Sequence, residues 1–400
     1  MNIEKIRDDF PALQQKLNGK PIIYFDNACM TLRPRQVIEV MNEYYEKYPG
    51  CAGRSIHKIG NIVTEKYNEA REIIAKFIGA KTNEVIFTRN TTEGLNLIAN
   101  SLDLKKGDIV ITSDREHNSN LIPWQILSEK GIKHVIIKSN NDMTFDIEGF
   151  EETMNKDVKL VSIVHTSNLD GYTLPVKEII KISHDYNAFV MLDGAQSVPH
   201  KEINVKKLDC DFLAFSGHKM LGPSGIGVLY GKYDLLEKLK PFIVGGETVE
   251  KTTYEKHIFL KPPEKFEGGL QNYAGAMGLA AAAKYIEKIG RENIERHETE
   301  LNKIITYGFK DMPIDIIGPK NPELRGGIIS FNIKNLDYHD VAIMLDDMEN
   351  IMVRSGQHCV HSWFNANNIK GSVRVSLYLY NTKEECNIFL DCIRKISTLV

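Results

Sequence analysis

Residues 211–231 read DFLAFSGHKMLGPSGIGVLYG. The run DFLAFS is apolar, aromatic-rich and of strand length, GIGVLYG is a second such run, and glycines punctuate the turn between them. Lys219 therefore stands just past the end of a buried strand. In an α/β sheet that is where ligands bind, in the crevice outside the strand ends.

Outward from this stretch the pattern repeats. Short apolar runs recur at 84–88 (EVIFT), 108–112 (DIVIT), 134–138 (HVIIK), 159–166 (KLVSIVHT) and 188–193 (AFVMLD). Between several of them lie amphipathic segments such as VKEIIKISHDY at 176–186, whose apolar residues recur three and four apart. Strands without alternation, separated by helices, predict a mostly parallel seven-stranded sheet covered on both faces. Past GAMGLAAAAKYIEKI at 275–289, the runs GGIISFNI at 326–333 and SVRVSLYLY at 372–380, with a helix from about 338, predict a smaller C-terminal α/β domain. The expected division is an N-terminal segment 1–18 packing on the small domain, a large domain 19–268 and a small domain 269–400.

Composition narrows the function. Lys and Arg number 50 against 53 Asp and Glu, a formal charge of −3, and no basic block suggests nucleic acid or an anionic membrane as partner. The opening MNIEKIRDDF has no apolar leader core, and no stretch is long and uncharged enough to span a bilayer, so a cytoplasmic protein is expected. Six cysteines (Cys29, Cys51, Cys210, Cys359, Cys386, Cys392) lie scattered without a CxxC pair, which disfavours a disulfide framework and a zinc knuckle. No metal site is expected.

A lysine at a strand end can form a Schiff base with a carbonyl cofactor, and pyridoxal 5′-phosphate (PLP) then acts as electron sink for a carbanion. Alone, SGHK is also what a surface lysine after a strand looks like. Three further features stand at strand ends upstream. Asp193 closes AFVMLD, where a carboxylate pairs with a protonated pyridine nitrogen or simply caps a helix, and Gln196 follows within reach of a ring hydroxyl. Thr91 and Thr92 in TTEG open an apolar helical pattern, a helix cap that also makes an anion site for the phosphate. His117, in REHNSNLIPWQ, is placed to stack on the ring or to make an ordinary loop hydrogen bond.

The stretches YFDNA, RSIHKI, TTEGLNLIANS, EHNSNLIPWQ, HTSNLDG, DGAQSV, SGHKMLGPSGIG, FEGG, VRSGQHC and VRVSLYLYNT together resemble the class V aminotransferase superfamily, and within it the SufS-type cysteine desulfurases. The resemblance implies a fold-type I PLP-dependent transferase acting on L-cysteine as a homodimer, and passing sulfur to an acceptor protein or small thiol. It implies Lys219 as the Schiff-base lysine, His117 as the stacking residue and Asp193 and Gln196 as ring ligands. Asn168 would touch substrate or cofactor, and Thr92, Ser216 and His218 would hold the phosphate. Arg374, with Arg354 nearby, would take the substrate carboxylate through the planar guanidinium fork. Arg54 would reach the neighbouring subunit's site.

Two departures from that pattern are expected. The persulfide-forming cysteine is expected immediately before the carboxylate-binding arginine, where this chain has Val373, and Leu270 in FEGGL stands where a threonine would complete the partner's phosphate site. With Val373 there, the sulfur acceptor falls to another thiol. Cys359 leads, because it follows Arg354 by five residues and sits between a histidine and the pocket-forming segment; Cys29 and Cys51 lie in other loops of the matched pattern. Buried structural cysteines would look the same. Two other functions share much of this sequence. One is a PLP lyase that releases sulfide or selenide from cysteine, cystine or selenocysteine without a protein persulfide. The other is an inactive partner in an iron–sulfur assembly complex.

Overall fold

The computed structural model describes residues 1–399. Seven strands form the large sheet: β1 (Val85–Thr88), β2 (Ile109–Ser113), β3 (Lys133–Ile137), β4 (Val158–Val164), β5 (Phe189–Asp193), β6 (Phe212–Ser216) and β7 (Gly227–Gly231). Their order is β1-β7-β6-β5-β4-β2-β3. All pairs are parallel except the two made by β7, which runs antiparallel to β1 and β6. The α/β class and the mostly parallel seven-stranded sheet match the reading of the sequence. Strands β1, β6 and β7 are buried along their whole length, which is why they read as continuous apolar runs.

The parallel register sets the site. Val164 pairs with Asp193, and Asp193 with Ala214, so the C-terminal ends of β4, β5 and β6 stand level with one another. Gly227, at the start of β7, meets that same edge. A Cβ there would stand 2.6 Å from the Asn90 Cα and 2.8 Å from the Phe215 carbonyl oxygen, so only glycine lets β7 pass under the turn that precedes the next helix.

Helices α1 (Arg35–Lys47), α2 (Lys58–Ile78), α3 (Thr91–Ser101) and α4 (Tyr273–Ile289) pack around this sheet and on one another. Helix α4 lies against α1 and α2, and its residues Ala276, Leu279, Ala283 and Ile286 join the large core. The small side chains permit this: a Cβ at Gly278 would meet Met41 Cγ at 3.0 Å. The boundary expected at residue 269 therefore does not follow the packing. The second core collects the chain from Leu301 onward, in helix α5 (Arg291–Gly308).

That second core lies under a four-stranded antiparallel sheet, β8 (Ile314–Ile317), β9 (Ile328–Ile333), β10 (Arg354–Gly356) and β11 (Ser372–Ser376), in the order β8-β9-β11-β10. Helices α6 (Tyr338–Glu349) and α7 (Lys383–Ser397) cover it. The chain start contributes as well. Ile23 and Phe25 are buried in this core, and Ile23–Tyr24 pairs in parallel with Ile351–Met352, so the packing does not start the large domain at residue 19. The N-terminal segment bridges the two domains instead of resting on the small one. Phe10 sits edge-on to both Tyr285 of α4 and Tyr380, and Arg7 bonds Glu385 of α7 at 2.7 Å.

Candidate active site

A cavity of about 210 Å³ opens where β4, β5 and β6 end, and the small domain closes its other side. From the large domain come Lys219, Asp193, Gln196, Asn168, His117, Ser216, His218, Thr91 and Thr92, and from the small domain Arg374, Arg354, His358 and Cys359. Residues that the sequence places 283 positions apart thus line one space, and all but one of the expected site residues are among them.

Lys219 ends a short 3₁₀ turn, Gly217–Lys219, directly after β6. The turn is clamped from two sides. Gly217 N–H donates to the Ile226 carbonyl at 2.9 Å, and Thr31 N–H donates to the His218 carbonyl at 3.0 Å. Burial lowers the pKa of the Lys219 ammonium, Asp193 pulls it back up, and Arg374 lowers it further. An amine so placed gives up its proton more readily than a surface lysine, which favours the nucleophilic form.

Asp193 ends β5 and is buried; its Oδ1 accepts the Ala195 N–H at 2.9 Å. Burial raises its pKa, opposed by the Lys219 charge. Among the described residues no cation is within ion-pair distance of it, so the carboxylate is a buried anion facing a cavity. Gln196 donates to the Ala28 carbonyl at 2.7 Å, and Asn168 to the His358 carbonyl at 2.7 Å. Their side-chain oxygens, Gln196 Oε1 and Asn168 Oδ1, are buried without a partner among the described residues. Acceptors left open in a cavity mark where a polar guest completes the bonding.

The third wall is the start of α3. Asn90 caps it, accepting the Glu93 N–H at 3.0 Å, while the Thr91 N–H and hydroxyl both meet Ser216 Oγ, at 2.8 and 2.7 Å. Thr92 Oγ1 lies 2.7 Å from Ser119 Oγ. Four hydroxyls and the positive end of the helix make an anion seat. His117 lines the space beside it, with Nδ1 accepting the Ser119 N–H at 3.1 Å. Burial, with Lys219, Arg374 and His361 nearby, lowers the His117 pKa to about 3, so the ring is neutral at physiological pH.

Taken together, a buried carboxylate for a pyridinium, open acceptors for ring substituents, a helix-end anion seat and a desolvated lysine fit PLP, atom type by atom type.

At the far end Arg374 is 3% exposed. Its Nη1 donates to the Asn168 carbonyl at 3.0 Å, Nη2 stands 3.5 Å from Asp26 Oδ1, and Nε is unpartnered among the described residues. Val373 is also fully buried, but strand alternation turns it to the opposite face of β11, into the small-domain core with Phe331 and Phe389. A thiol at 373 would lie in that core and not in the cavity. The expectation that position 373 decides the sulfur chemistry is therefore corrected.

Cys359 does line the cavity. The neighbours expected to activate it are engaged elsewhere. Arg354 Nη1 donates to Cys29 Sγ at 3.2 Å, and His358 Nε2 pairs with Ser372 Oγ at 2.8 Å, with its pKa lowered to about 2 chiefly by burial. Arg54 is the site residue absent from the cavity; it is ion-paired with Glu247 of the same chain. Cys51 is not among the lining residues either, while Cys29 is. Reading the sequence passed over Asp26, Asn90 and Ser119. Asn90 was legible as the capping residue three before Glu93; Asp26 and Ser119 lie in matched stretches but gain their meaning only from what they face.

A fold of this topology, with lysine, aspartate and helix-end phosphate seat at the strand ends, defines a class, and the model of the aminotransferase class-V family matches residues 23–389. The chain belongs to that family. Its relatives are specific: a probable cysteine desulfurase of Halalkalibacterium halodurans is 41% identical, covering 99% of this chain and 98% of its own. The apo structure of a cysteine desulfurase from Thermococcus onnurineus superposes with a TM-score of 0.95 at 41% identity, covering 99% of this chain and 98% of that one. The cysteine desulfurase CsdA of Escherichia coli, in an S-sulfonic acid form, has a TM-score of 0.92 at 29% identity, covering 100% and 99%. Among the described residues no helix is long and apolar enough to cross a membrane.

Proposed function

We propose that the protein is a PLP-dependent cysteine desulfurase that converts L-cysteine to L-alanine and takes the sulfur onto Cys359. One observation carries this reading: Lys219, Asp193, Arg374 and a half-buried thiol, Cys359, share a single cavity. Lys219 would hold the cofactor, Asp193 its ring nitrogen, and Thr91, Thr92, Ser216 and His218 its phosphate, with Gln196 and Asn168 on the ring substituents and His117 against its face. When bound, PLP supplies the electron sink for charge developing at the substrate Cα.

The remaining work falls to the chain. Arg374, buried with one donor open, seats the substrate carboxylate; its fork orients the amino acid as a point charge would not. Lys219 Nζ takes the proton from Cα. The Cys359 thiolate then attacks the substrate sulfur, an S–S bond forming as the Cβ–S bond breaks; the electron pair of that bond stays with the carbon skeleton, which regains a proton at Cα from Lys219 and takes one at Cβ to become alanine. Neutral His117 neither repels the cationic lysine nor competes for the carboxylate. The persulfide then passes to an external thiol or acceptor protein, which suits supply of sulfur to iron–sulfur or other sulfur cofactors in the cytoplasm.

The site is proposed to be completed by a second copy of the chain. Arg54 does not line its own cavity and is ion-paired with Glu247, and Ile56 (94% exposed) and Leu270 (73%) lie on segments matched to partner-facing elements. With Leu270 exposed and apolar, it supplies no hydroxyl to a phosphate. The test of the function is to load the protein with PLP and L-cysteine, quantify alanine against pyruvate, and map persulfides by mass spectrometry, in the native chain and in Cys359→Ser. Alanine with a persulfide on Cys359 is expected. Pyruvate and free sulfide in both chains would replace this reading with the lyase, and no turnover with bound PLP would point to an inactive assembly partner.

A further inference from the structure

Two thiols, not one, line the cavity: Cys359 and Cys29 stand on opposite elements and both bear on the charge of Lys219. Their settings differ. Cys359 follows His358 in a stretch where both residues are left-handed (φ 60° and 50°), its carbonyl accepts the Asn118 N–H at 2.8 Å, and Val360 beside it is 1% exposed. Cys359 and Cys29 are both half-buried. Cys29 sits in the turn after Asp26, where Ala28 N–H donates to Ser376 Oγ at 2.9 Å and Cys29 N–H to the Asp26 carbonyl at 3.2 Å, and the next residue, Met30, is 40% exposed. Arg354, whose side chain is 44% exposed, donates to the Cys29 sulfur at 3.2 Å. Cys29 is thus the thiol with a cation on its sulfur, and that cation reaches solvent. Arg374 lines the same cavity, buried, with Nε unpartnered among the described residues, an open donor for an anionic guest.

We propose that Cys29 is a second persulfide site, which receives sulfur from Cys359 and holds it beside the solvent-reaching guanidinium of Arg354. This rests on the reading of Cys359 as first acceptor. Cys29 Sγ, as thiolate, attacks the terminal sulfur of the Cys359 persulfide. A new S–S bond forms on Cys29, the bond to Cys359 breaks, and its electron pair leaves with Cys359 Sγ as a thiolate. The proton stays on the transferred sulfur. Nothing is oxidised or reduced overall, so the step needs no co-reactant. Its physical advantage is that Cys359 is freed for a further turnover while the sulfur waits on Cys29. Once the transferred sulfur gives up its proton, the Arg354 guanidinium stabilises the negative charge it carries there.

The experiment uses the PLP-loaded full chain and a single pulse of L-cysteine without reductant, followed by persulfide mapping in the native protein, Cys29→Ser, Cys29→Ala and Cys359→Ser. Lysine-bound PLP absorbance confirms that each variant is folded. The native chain is expected to carry persulfide on both cysteines, the Cys29 variants on Cys359 alone with about half the bound sulfur, and Cys359→Ser on neither. Dithiothreitol should then strip sulfur from the Cys29 variants several-fold more slowly than from the native chain. Persulfide confined to Cys359 in the native chain, with unchanged release to dithiothreitol, overturns the relay and leaves the desulfurase reading intact. Alanine and a Cys29 persulfide in Cys359→Ser overturn the order of the two thiols and with it the reading of Cys359. A Cys29–Cys359 disulfide with released sulfide, from attack on the inner sulfur, also overturns the relay.

Discussion

The backbone N–H of Asn118 donates to the carbonyl of Cys359 at 2.8 Å, tying the residue after His117 to the proposed sulfur acceptor across 241 positions of sequence. The bond joins large-domain and small-domain loops over the cavity. A second bond reinforces it, with Asn118 Nδ2 2.8 Å from His361 Nδ1. His117, proposed to stack on the cofactor, and the thiol are therefore held in one frame, and a shift of either loop moves both.

Lys219→Ala is expected to abolish the visible absorbance of lysine-bound PLP and to lower turnover by about 10³-fold or more, since it removes both the attachment and the group that moves the Cα proton. Among the described residues no other lysine lines the cavity. Absorbance spectra and alanine assays check this, and a variant that kept both would remove Lys219 from its role.

Arg374→Lys should reduce kcat/KM for cysteine by about 10²-fold, mainly through KM, because the ammonium cannot keep the Asn168 carbonyl and Asp26 contacts while also holding a carboxylate in a fork. Steady-state kinetics read the outcome directly. Equal kinetics would place the carboxylate seat elsewhere.

Val373→Cys tests the side-chain direction on β11. The new thiol faces the small-domain core, so the variant is expected to gain no persulfide, to keep its alanine production, and to lose about 1 kcal/mol of stability from the smaller side chain. Mass spectrometry and chemical denaturation make the comparison. A persulfide on residue 373 would contradict the strand register.

Stability of the cofactor-free protein should rise as pH is raised from about 5 to 6.5. Burial is the main cause that lowers His117 and His165 to about 3, His218 to about 4 and His358 to about 2, all from 6.5. For such groups the unfolded chain binds more protons, so stability is full above 6.5 and lost as pH falls toward the folded values. Glu116, pushed up to about 7 by burial, has the opposite sign: its contribution is full below 4.5 and fades as pH rises through 7. Asp26 and Asp193, also raised by burial, act in that same direction from their lower starting point. Four histidines outweigh Glu116 across the window, most at its acid end, where the unfolded imidazoles are most fully protonated. Thermal melts across this range should show an increasing Tm, and a flat or falling profile would mean that the histidines are hydrated.

Six of the seven strands of the large sheet were legible because each is a short, largely buried apolar run; β3, at the sheet edge with only Ile137 buried, was legible from its β-branched residues, and the observed ends differ from the runs by a residue or two. The cofactor residues were legible for a related reason. Asp193 ends a strand, Lys219 and Thr91 each stand three residues past one, and in a parallel sheet the strand ends must come together.

Local pattern could not assign α4 to a domain, because a helix rich in alanine and glycine suits any close contact, and only the approach of α1 and α2 shows which core it joins. Nor could the order of residues say which side of β11 faces substrate. Val373 and Arg374 are neighbours in sequence, and strand alternation alone sends one to the core and the other to the cavity. The same holds for the thiols: Arg354 and His358 flank Cys359 in sequence, yet folding pairs one with Cys29 and the other with Ser372. Sequence by itself determined which chemistry the chain carries, since strand ends and residue types are local properties. Tertiary structure alone decided which sulfur meets which charge, since those contacts join segments hundreds of residues apart.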